Sequence, residues 1–372
     1  MALTYDTLAD LLNHGYDTVI DVRSPAEFAE DHVPGAINLP ALDNDERARV
    51  GTIYKQDSPF KARKLGAALV FRNVARHIED TLSHHDGGWR PLVYCWRGGQ
   101  RSGTFAWTLK EIGWRSDTVA GGYRSFRRLV HAMLYETELP HRLVALDGYT
   151  GTAKTDLLHR LRTRGVQVLD LEGLANHRGS VLGGMGDQPT QKWFETGLSS
   201  TLSGFDPARP VVVEAESSKI GSRIVPPAIW EAMKIAPRIE VEAPVDERVT
   251  YLTRVYDDIL SDTDRLHEVL PPLIAHRGRE VVEGWLQLID AGDKQGFTRA
   301  IVDQHYDPSY QKSRRAIDAH VAARVQARTL DDAGLDKAAA DIEKVMEQID
   351  LSGQTTDTPG GPSTKRPIRA AE

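Results

Sequence analysis

The chain has 372 residues, of which 40% are hydrophobic and 27% are charged, and its formal net charge at pH 7 is −7. These values are typical of a globular protein long enough for two domains, and they exclude strong non-specific attraction to nucleic acid. A nucleic-acid site would therefore have to be a local basic patch. The single cysteine cannot form an intrachain disulfide, and no apolar run is long enough to span a membrane, so a cytoplasmic location is expected.

The first third of the chain alternates short apolar strands with helices, and this order predicts a small α/β domain with a parallel sheet. Strands are predicted at 17–23 and 91–95, and a short strand followed by a glycine turn is predicted within 116–126. A helix is predicted between the last two strands, because apolar residues recur there on one helical face: Phe105, Ala106, Leu109 and Ile112.

A second series of strands and helices starts at 141–148, where a strand is followed by a helix that ends at Gly165. Further strands are predicted for the sequences VQVLDLEG, RPVVVEAES and PRIEVEAP. From about residue 246 the pattern is helical, and it includes the alanine-rich, charged stretch 316–350. The last residues are rich in Gly, Pro, Ser and Thr and are expected to be disordered.

The only cysteine, Cys95, follows a predicted strand and precedes a predicted helix in the sequence CWRGGQRS. Two glycines let the backbone curl so that successive N–H groups point inward, and the helix N-terminus adds positive charge. Such a loop binds tetrahedral oxyanions and lowers the pKa of a thiol, which makes Cys95 a candidate nucleophile. The candidate catalytic residues are Cys95, Arg97 and Arg101, and the other residues of the anion loop are Gly98, Gly99, Gln100 and Ser102.

The C-x5-R spacing of this loop fits phosphotyrosine-type phosphatases as well as rhodanese-type sulfur-handling loops. The segment 21–40 resembles the N-terminal signature of the rhodanese family, through Asp21, Arg23, Glu27, Phe28, His32, Gly35, Ala36 and Asn38. The segment 121–128, GGYRSFRR, resembles the closing segment of that family. The resemblance covers roughly residues 10–135, and it implies that Cys95 carries sulfur or selenium as a persulfide or selenosulfide.

The sequence GYTGTAKT, residues 148–155, lies between a predicted strand and a predicted helix and resembles the P-loop pattern G-x4-G-K-[ST]. Backbone amides at the helix start would hold a diphosphate, and Lys154 would neutralise it. Ala153 replaces the second glycine, and its methyl group costs little only if φ is negative. The sequence leaves two ligands open for this loop, a nucleotide and a prenyl diphosphate. The candidate diphosphate-binding residues are Gly148, Thr150, Gly151, Lys154 and Thr155.

Polar residues also follow two later strands of the same series. Ligands of α/β sheets bind at the carboxyl ends of the strands, so these residues form a second candidate site. Its members are His177, Arg178, Glu214 and Glu216. No metal site is predicted from the sequence.

A rhodanese domain followed by a P-loop domain resembles the bacterial tRNA 2-selenouridine synthase family. Further segments that carry this resemblance are DLEGLANHRGS, VVVEAESSKIG and HYDPSYQKS. The resemblance implies conversion of wobble 2-thiouridine in tRNA to 2-selenouridine with selenophosphate, through an S-geranylated intermediate made from geranyl diphosphate. Cys95 would carry selenium, and from shape and charge we expect the P-loop to hold the diphosphate of the geranyl donor.

The resemblance and the element pattern together predict four parts of the chain. They are a rhodanese-like parallel-sheet domain at 1–138, a P-loop α/β domain at 139–245, a helical region packed on the P-loop domain at 246–350, and a disordered tail at 351–372. No tightly bound cofactor is expected, and Mg²⁺ is an option with the diphosphate. The expected partner is tRNA that contains 2-thiouridine, an enzyme that supplies selenophosphate is a further candidate, and no membrane is involved.

The segment 305–315 interleaves aromatic residues with cations, a pattern that suits an unstacked base and its phosphates. Its candidate tRNA-binding residues are Tyr306, Tyr310, Lys312, Arg314 and Arg315. Lys219 and Arg223 are candidates to extend this patch. The alternative surface lies on the rhodanese domain, around Arg124, Arg127 and Arg128.

Two other functions remain open at this point. A Cdc25-like phosphatase would explain the C-x5-R loop but not the P-loop half of the chain. A rhodanese-type sulfurtransferase or an idle rhodanese module coupled to a P-loop kinase would explain both halves. The intact Cys95 argues against an idle module, and Ala153 argues against a vigorous kinase.

Overall fold

A computed structural model divides the chain into two compact units. Unit 1 comprises Met1–Thr137 and Pro189–Gly204, and unit 2 comprises Glu138–Gln188 with the described residues from Phe205 onward. Both are parallel sheets covered by helices, which confirms the predicted α/β class. The structure describes residues 1–178, 182–183, 186–314, 321–349 and 351, without the side chains of Ser313 and Arg314.

The sheet of unit 1 presents Cys95 at the end of a buried strand. The strands are β1 (Ala2–Leu3), β2 (Thr18–Asp21), β3 (Ile37–Asn38), β4 (Pro91–Tyr94) and β5 (Asp117–Val119). They are parallel in the order β1–β5–β4–β2–β3, and β4 is buried along its whole length because its side chains are apolar. Cys95 therefore leaves the centre of the sheet at its carboxyl edge.

The helices of unit 1 come from two separate segments of the chain. They are α1 (Leu8–Leu12), α2 (Pro25–Glu30), α3 (Asn44–Gln56), α4 (Pro59–His77), α5 (Gln100–Ile112), α6 (Tyr123–His131) and, from the second segment, α9 (Gln191–Ser203). π-Helical turns at Ile78–Leu82 and Ala132–Glu136 extend α4 and α6. Helix α5 starts directly after the cysteine loop and packs Phe105 and Leu109 into the core, and it ends at Gly113, where φ is 110°.

The sheet of unit 2 reverses its strand order at its central strand. Its strands are β6 (Leu143–Asp147), β7 (Gln167–Leu169), β8 (Val211–Glu214), β11 (Arg238–Glu242) and β12 (Val321–Gln326), and a small hairpin is formed by β9 (Lys219–Ile220) and β10 (Arg223–Ile224). The parallel order is β12–β11–β6–β8–β7. The carboxyl end of β6 is thus the point where α/β sheets bind ligands.

Helices cover both faces of this sheet and continue into a helical region. They are α7 (Lys154–Thr163), α8 (Leu171–Ala175), α10 (Pro227–Ile235), α11 (Val245–Val255), α12 (Asp257–Leu260), α13 (Thr263–Val269), α14 (Ile274–Arg277), α15 (Arg279–Asp290), α16 (Lys294–Ile301), α17 (Asp307–Arg314) and α18 (Asp332–Met346). A 3₁₀ turn at Pro271–Leu273 and a π-helical turn at Val302–Tyr306 join some of them. Trp285 and Phe297 are buried in the core of the helical region.

The helical prediction for 316–350 is wrong for the residues of β12. Val321, Ala323 and Val325 alternate with more exposed residues, and the strand pairs in parallel with β11. The alanines favour a helix locally, but the edge of the sheet offers the backbone a complete row of hydrogen-bond partners, and this tertiary context outweighs propensity. Within the described part of this stretch, Asp332–Met346 follows the prediction, since it forms α18, a helix of 15 residues.

Two other predictions concern the domain to which α9 belongs and the C-terminal tail. The segment that forms α9 was placed in the P-loop domain at 139–245, whereas its contacts belong to unit 1. The tail at 351–372 lies outside the described residues except for Leu351, which is buried. Across the described ranges, no helix combines the length and the apolar composition that crossing a membrane requires.

Candidate active sites

The cysteine loop encloses the thiol of Cys95, which is 3% exposed. The amide of Gly99 donates a hydrogen bond to Sγ at 3.3 Å, and the Ser102 hydroxyl donates another at 3.2 Å. Gly98 makes the turn with φ of 65°, a value that favours glycine. The loop therefore surrounds sulfur with hydrogen-bond donors at the N-terminus of α5.

Burial would raise the pKa of the Cys95 thiol, but the surrounding donors reverse this effect. The hydrogen bond from Ser102, the charge of Arg101 and the amide of Arg97 lower the pKa below its usual value. The side chain of Arg97 itself is exposed, and Arg101 also faces the carboxylate of Glu27 at 3.4 Å. The site thus favours a thiolate, which is the nucleophilic form of cysteine.

The closing segment GGYR supports the cysteine loop through its backbone. The amide of Tyr123 donates to the Cys95 carbonyl at 2.8 Å, and the amide of Arg124 donates to the Trp96 carbonyl at 3.2 Å. A side chain on Gly122 would collide with that Cys95 carbonyl. Gly122 is therefore required by close packing between two backbone segments.

A buried network of polar side chains holds Tyr123 from the other side. The guanidinium of Arg23 forms a fork with the carboxylate of Asp21 and lies 3.8 Å from the centre of the Tyr123 ring. The Tyr123 hydroxyl donates to Asp31 at 2.8 Å, and Arg23 donates to the Asp31 carbonyl at 2.6 Å. These residues of the rhodanese-like signature thus fix the ring behind the cysteine loop.

Helix α9 completes this network within unit 1. The Thr196 hydroxyl donates to Asp31 at 2.7 Å, and buried Glu195 pairs with Arg127 and accepts from the Tyr135 hydroxyl at 2.7 Å. The ring of Trp193 stacks on His32 with centroids 4.2 Å apart. Asp31 is therefore held jointly by α9 and by Tyr123. Arg127, a candidate for tRNA binding, is instead engaged by a buried carboxylate.

The P-loop follows β6 and has its lysine folded back onto its own backbone. Lys154 Nζ donates to the Gly148 carbonyl at 2.8 Å, and the hydroxyl of Thr155 donates to Glu172 at 3.2 Å. Gly148 and Gly151 have positive φ, and Thr150 is half-buried between them. The five predicted diphosphate-binding residues thus lie in one loop and in the first turn of α7, at the switch point of the sheet.

Ala153 adopts a left-handed conformation, with φ of 59° and ψ of 32°. The negative φ under which its methyl group would cost little is not present. A left-handed alanine costs roughly 1–2 kcal/mol relative to the right-handed region. Ala153 is also buried in the core of unit 2. The residue that departs from the P-loop pattern therefore stores strain next to Lys154.

Glu172 is a candidate site residue that sequence reasoning missed. Burial and the neighbouring carboxylate of Glu216 raise its pKa to about 8, against the opposing charge of Lys154. Burial and the closeness of the two carboxylates therefore favour a proton on this pair. The signal that could have identified it is its place directly after strand β7, at the carboxyl edge of a parallel sheet.

The second candidate site is only partly assembled. Glu216 lies close enough to Glu172 and His177 to shift the pKa values of both, although burial is the larger influence and lowers that of His177. Glu214 accepts from the Leu171 amide at 2.9 Å, and burial raises its pKa. Arg178 instead pairs with Asp258 at 3.2 Å. Within the described ranges, no cluster of three or more His, Cys, Asp or Glu is arranged to bind a metal.

The predicted tRNA-binding segment packs beside the P-loop. The Tyr310 hydroxyl donates to Asp147 at 2.8 Å, and its ring lies 4.4 Å from that of Tyr149. Tyr306 is half-buried against two core clusters. Lys312 is exposed, whereas the Arg314 side chain and Arg315 lie outside the described residues.

Arg248 connects this segment to the loop. Its Nε donates to the Thr150 carbonyl at 2.9 Å, and its two terminal nitrogens pair with Asp307 at 2.5 and 3.0 Å. Arg324, on β12, pairs with Glu240 at 2.9 Å and with Glu242 at 3.3 Å. Two cations near this segment, Arg248 and Arg324, are thus engaged by carboxylates, whereas Arg277 donates to the ring and the carbonyl of His305.

Comparisons with known proteins agree with this arrangement. Residues 4–129 match the rhodanese-like domain, and residues 141–268 match the tRNA 2-selenouridine synthase AAA domain, so the predicted order of the two folds is confirmed. The tRNA 2-selenouridine synthase of Nitrosomonas europaea is 35% identical over 68% of each chain. That of Hahella chejuensis is 33% identical over 80% of this chain and 86% of its own. That of Pseudomonas syringae pv. syringae is 32% identical over 83% and 90%, respectively.

Proposed function

Because the chain belongs to the tRNA 2-selenouridine synthase family, we propose that it converts wobble 2-thiouridine of tRNA to 2-selenouridine with selenophosphate, through an S-geranylated intermediate. The observation that carries this proposal is the Cys95 thiol, which accepts hydrogen bonds from a backbone amide and from the Ser102 hydroxyl at a helix N-terminus. Selenophosphate is a small tetrahedral anion, and such a loop suits its oxygens.

In the selenium-loading step, the Cys95 thiolate attacks the selenium atom of selenophosphate. A sulfur–selenium bond forms, the selenium–phosphorus bond breaks, and its electron pair leaves with phosphorus, so that phosphite is released. Attack at phosphorus would instead form phosphocysteine and expel hydrogen selenide. The lowered pKa of Cys95 supports either attack, and the phosphorus product distinguishes them.

In the geranyl step, the thiouridine sulfur attacks C1 of geranyl diphosphate. A carbon–sulfur bond forms, the carbon–oxygen bond breaks, and diphosphate leaves with the electron pair, while the proton on N3 of the base passes to solvent. Lys154 and the amides at the start of α7 suit the departing diphosphate. No nucleotide hydrolysis is required in this scheme.

In the last step, the selenium on Cys95 attacks C2 of the geranylated base. The selenium–carbon bond forms, the carbon–sulfur bond breaks, and geranylthiolate leaves. A low-molecular-weight thiol then cleaves the sulfur–selenium bond and forms a mixed disulfide with Cys95, and a second thiol restores Cys95. The two thiols supply the two electrons that left with phosphite.

The test is mass spectrometry of nucleosides from 2-thiouridine-containing tRNA incubated with the purified protein. Geranyl diphosphate alone should yield S-geranyl-2-thiouridine, and addition of selenophosphate and a thiol should yield 2-selenouridine. Formation of 2-selenouridine without geranyl diphosphate would remove the intermediate. Hydrolysis of a generic aryl phosphate without any tRNA product would favour the Cdc25-like alternative, and tRNA-independent ATP turnover would favour the kinase alternative.

A further inference from the structure

Helix α4 is strongly basic in an acidic protein. Its 19 residues include five cations and no carboxylate, whereas the whole chain has a net charge of −7. The five cations are Lys61, Arg63, Lys64, Arg72 and Arg76. Helix α4 therefore meets the requirement set by the charge of the chain, which is a local basic patch.

Eight of the exposed residues of α4 form one continuous face. With 3.6 residues per turn, they span about 160° of the helix circumference. This face, which we call the α4 face, consists of Phe60, Lys61, Lys64, Ala68, Phe71, Arg72, Ala75 and Arg76. Its alanines leave a flat surface between the cations, and the opposite side of the helix is buried in unit 1. The α4 face is thus free of the packing that holds the helix in place.

Aromatic side chains accompany the cations on this surface. Exposed aromatic residues on α3, α4 and α5, between 48% and 71% exposed, are Tyr54, Phe60, Phe71 and Trp107. The rings of Phe71 and Trp107 meet edge to face with centroids 6.4 Å apart. Exposed aromatic rings beside cations are the combination that binds unpaired bases and phosphates of RNA.

The cations of the α4 face have few competing partners. Lys61 pairs with Asp57 at 3.0 Å, but among the described residues no ion pair involves Lys64, Arg72 or Arg76. By contrast, Arg127 and Arg324 are engaged by carboxylates. A phosphate that binds the α4 face would therefore not have to displace an existing ion pair.

The α4 face is also close to the cysteine loop along the fold of unit 1. Trp107 lies on α5, which begins at Gln100 directly after that loop. Seven residues of helix span about 10 Å. An RNA bound at Phe71 and Trp107 thus has neighbouring nucleotides within reach of Cys95.

We propose that the α4 face, together with Trp107, is a docking surface for the phosphates and unpaired bases of the tRNA substrate. The identity of the RNA rests on the proposed function, whereas the surface itself rests on charge and exposure. Each phosphate contact releases counterions and contributes about 0.7 to 0.9 to the slope of log affinity against log salt. The base contacts contribute affinity without changing that slope.

The experiment compares tRNA affinity at about 50 to 200 mM salt for the wild type and two matched variants. One variant carries Lys64→Ala, Arg72→Ala and Arg76→Ala. The other removes three exposed cations near the predicted patch, through Lys219→Ala, Lys312→Ala and Arg328→Ala. We expect the first to bind at least about 10-fold more weakly and to reduce the slope by about 2 to 3, and the second to match the wild type.

Further readouts separate docking from folding and from the proposed function. Phe71→Ala should weaken binding without changing the slope, and alkylation of Cys95 by iodoacetamide should be unchanged in both variants. If the first variant superimposes on the wild type, or if the second loses the affinity instead, the docking proposal is wrong. If the wild type binds tRNA but forms no modified nucleoside, the proposed function fails while the docking proposal stands.

Discussion

The cysteine loop and the P-loop share the same order of strand, loop and helix, but they hold different functional groups. Each follows a central parallel strand and leads into the N-terminus of a helix. In the first, sulfur occupies the centre and accepts hydrogen bonds from the loop. In the second, the amine of Lys154 lies against a backbone carbonyl. The same strand–loop–helix geometry thus holds a thiol in one unit and a lysine amine in the other.

The largest expected effect comes from removing the nucleophile. Cys95→Ala should abolish 2-selenouridine formation, because no other thiol is present in the chain. Geranylation should persist, since that step uses the sulfur of the base, and geranylated tRNA should accumulate. The measurement is nucleoside mass spectrometry after incubation with both donors. Formation of 2-selenouridine at the normal rate would contradict the role of Cys95 as the selenium carrier.

Removing the cation should affect the other half of the reaction. Lys154→Ala should slow geranylation by about 10²–10³-fold, the usual cost of losing one electrostatic stabiliser of a leaving group. Selenation of tRNA supplied in geranylated form should continue at the normal rate. Single-turnover assays of the two steps provide the comparison. Unchanged geranylation would exclude the P-loop from the chemistry.

Ser102→Ala sharpens the comparison by removing a hydrogen bond to sulfur, together with a contact to the Gly99 carbonyl at 3.3 Å. The hydroxyl stabilises the thiolate, so its loss should raise the pKa of Cys95 and slow alkylation near pH 7 by about 10-fold. The rate at high pH, where the thiol is fully ionised, should be unchanged. Thr108→Ala, on the same helix, is the control, because its hydroxyl bonds to the Thr104 carbonyl. Equal profiles for both variants would contradict this role.

The smallest expected effect concerns Glu172 beside the P-loop. Its pKa of about 8 means that it gains a negative charge as pH rises through 8. The affinity for inorganic pyrophosphate should therefore fall by a few fold relative to Glu172→Gln between about pH 7 and 9. Calorimetry of both proteins across this range separates the effect from titration of the ligand itself. A constant ratio of affinities would mean that Glu172 does not face the diphosphate.

The parts predicted from sequence are those determined by local signals. The strands before both loops are continuous apolar runs, and the glycines and cations of the cysteine loop lie next to one another in the chain. Strand β12 was missed because its partner, β11, is some 80 residues away and its alanines favour a helix. The left-handed conformation of Ala153 is imposed by the surrounding fold. The basic surface of α4 is not evident from the net charge, because the chain as a whole is acidic.

Helix α9 lies in the segment that matches the AAA domain but packs in unit 1, and this position limits how the protein can be divided. A helical pattern shows that a face is buried, but not which core buries it. The chain crosses between the units after Thr137, Gln188 and Gly204, so no single cut separates them. A fragment that ends at residue 137 would leave Asp31, Arg127 and Tyr135 without their α9 partners. The gene therefore cannot be split into two independent halves, and mutations in its middle third would act on the chemistry of a thiol encoded far upstream.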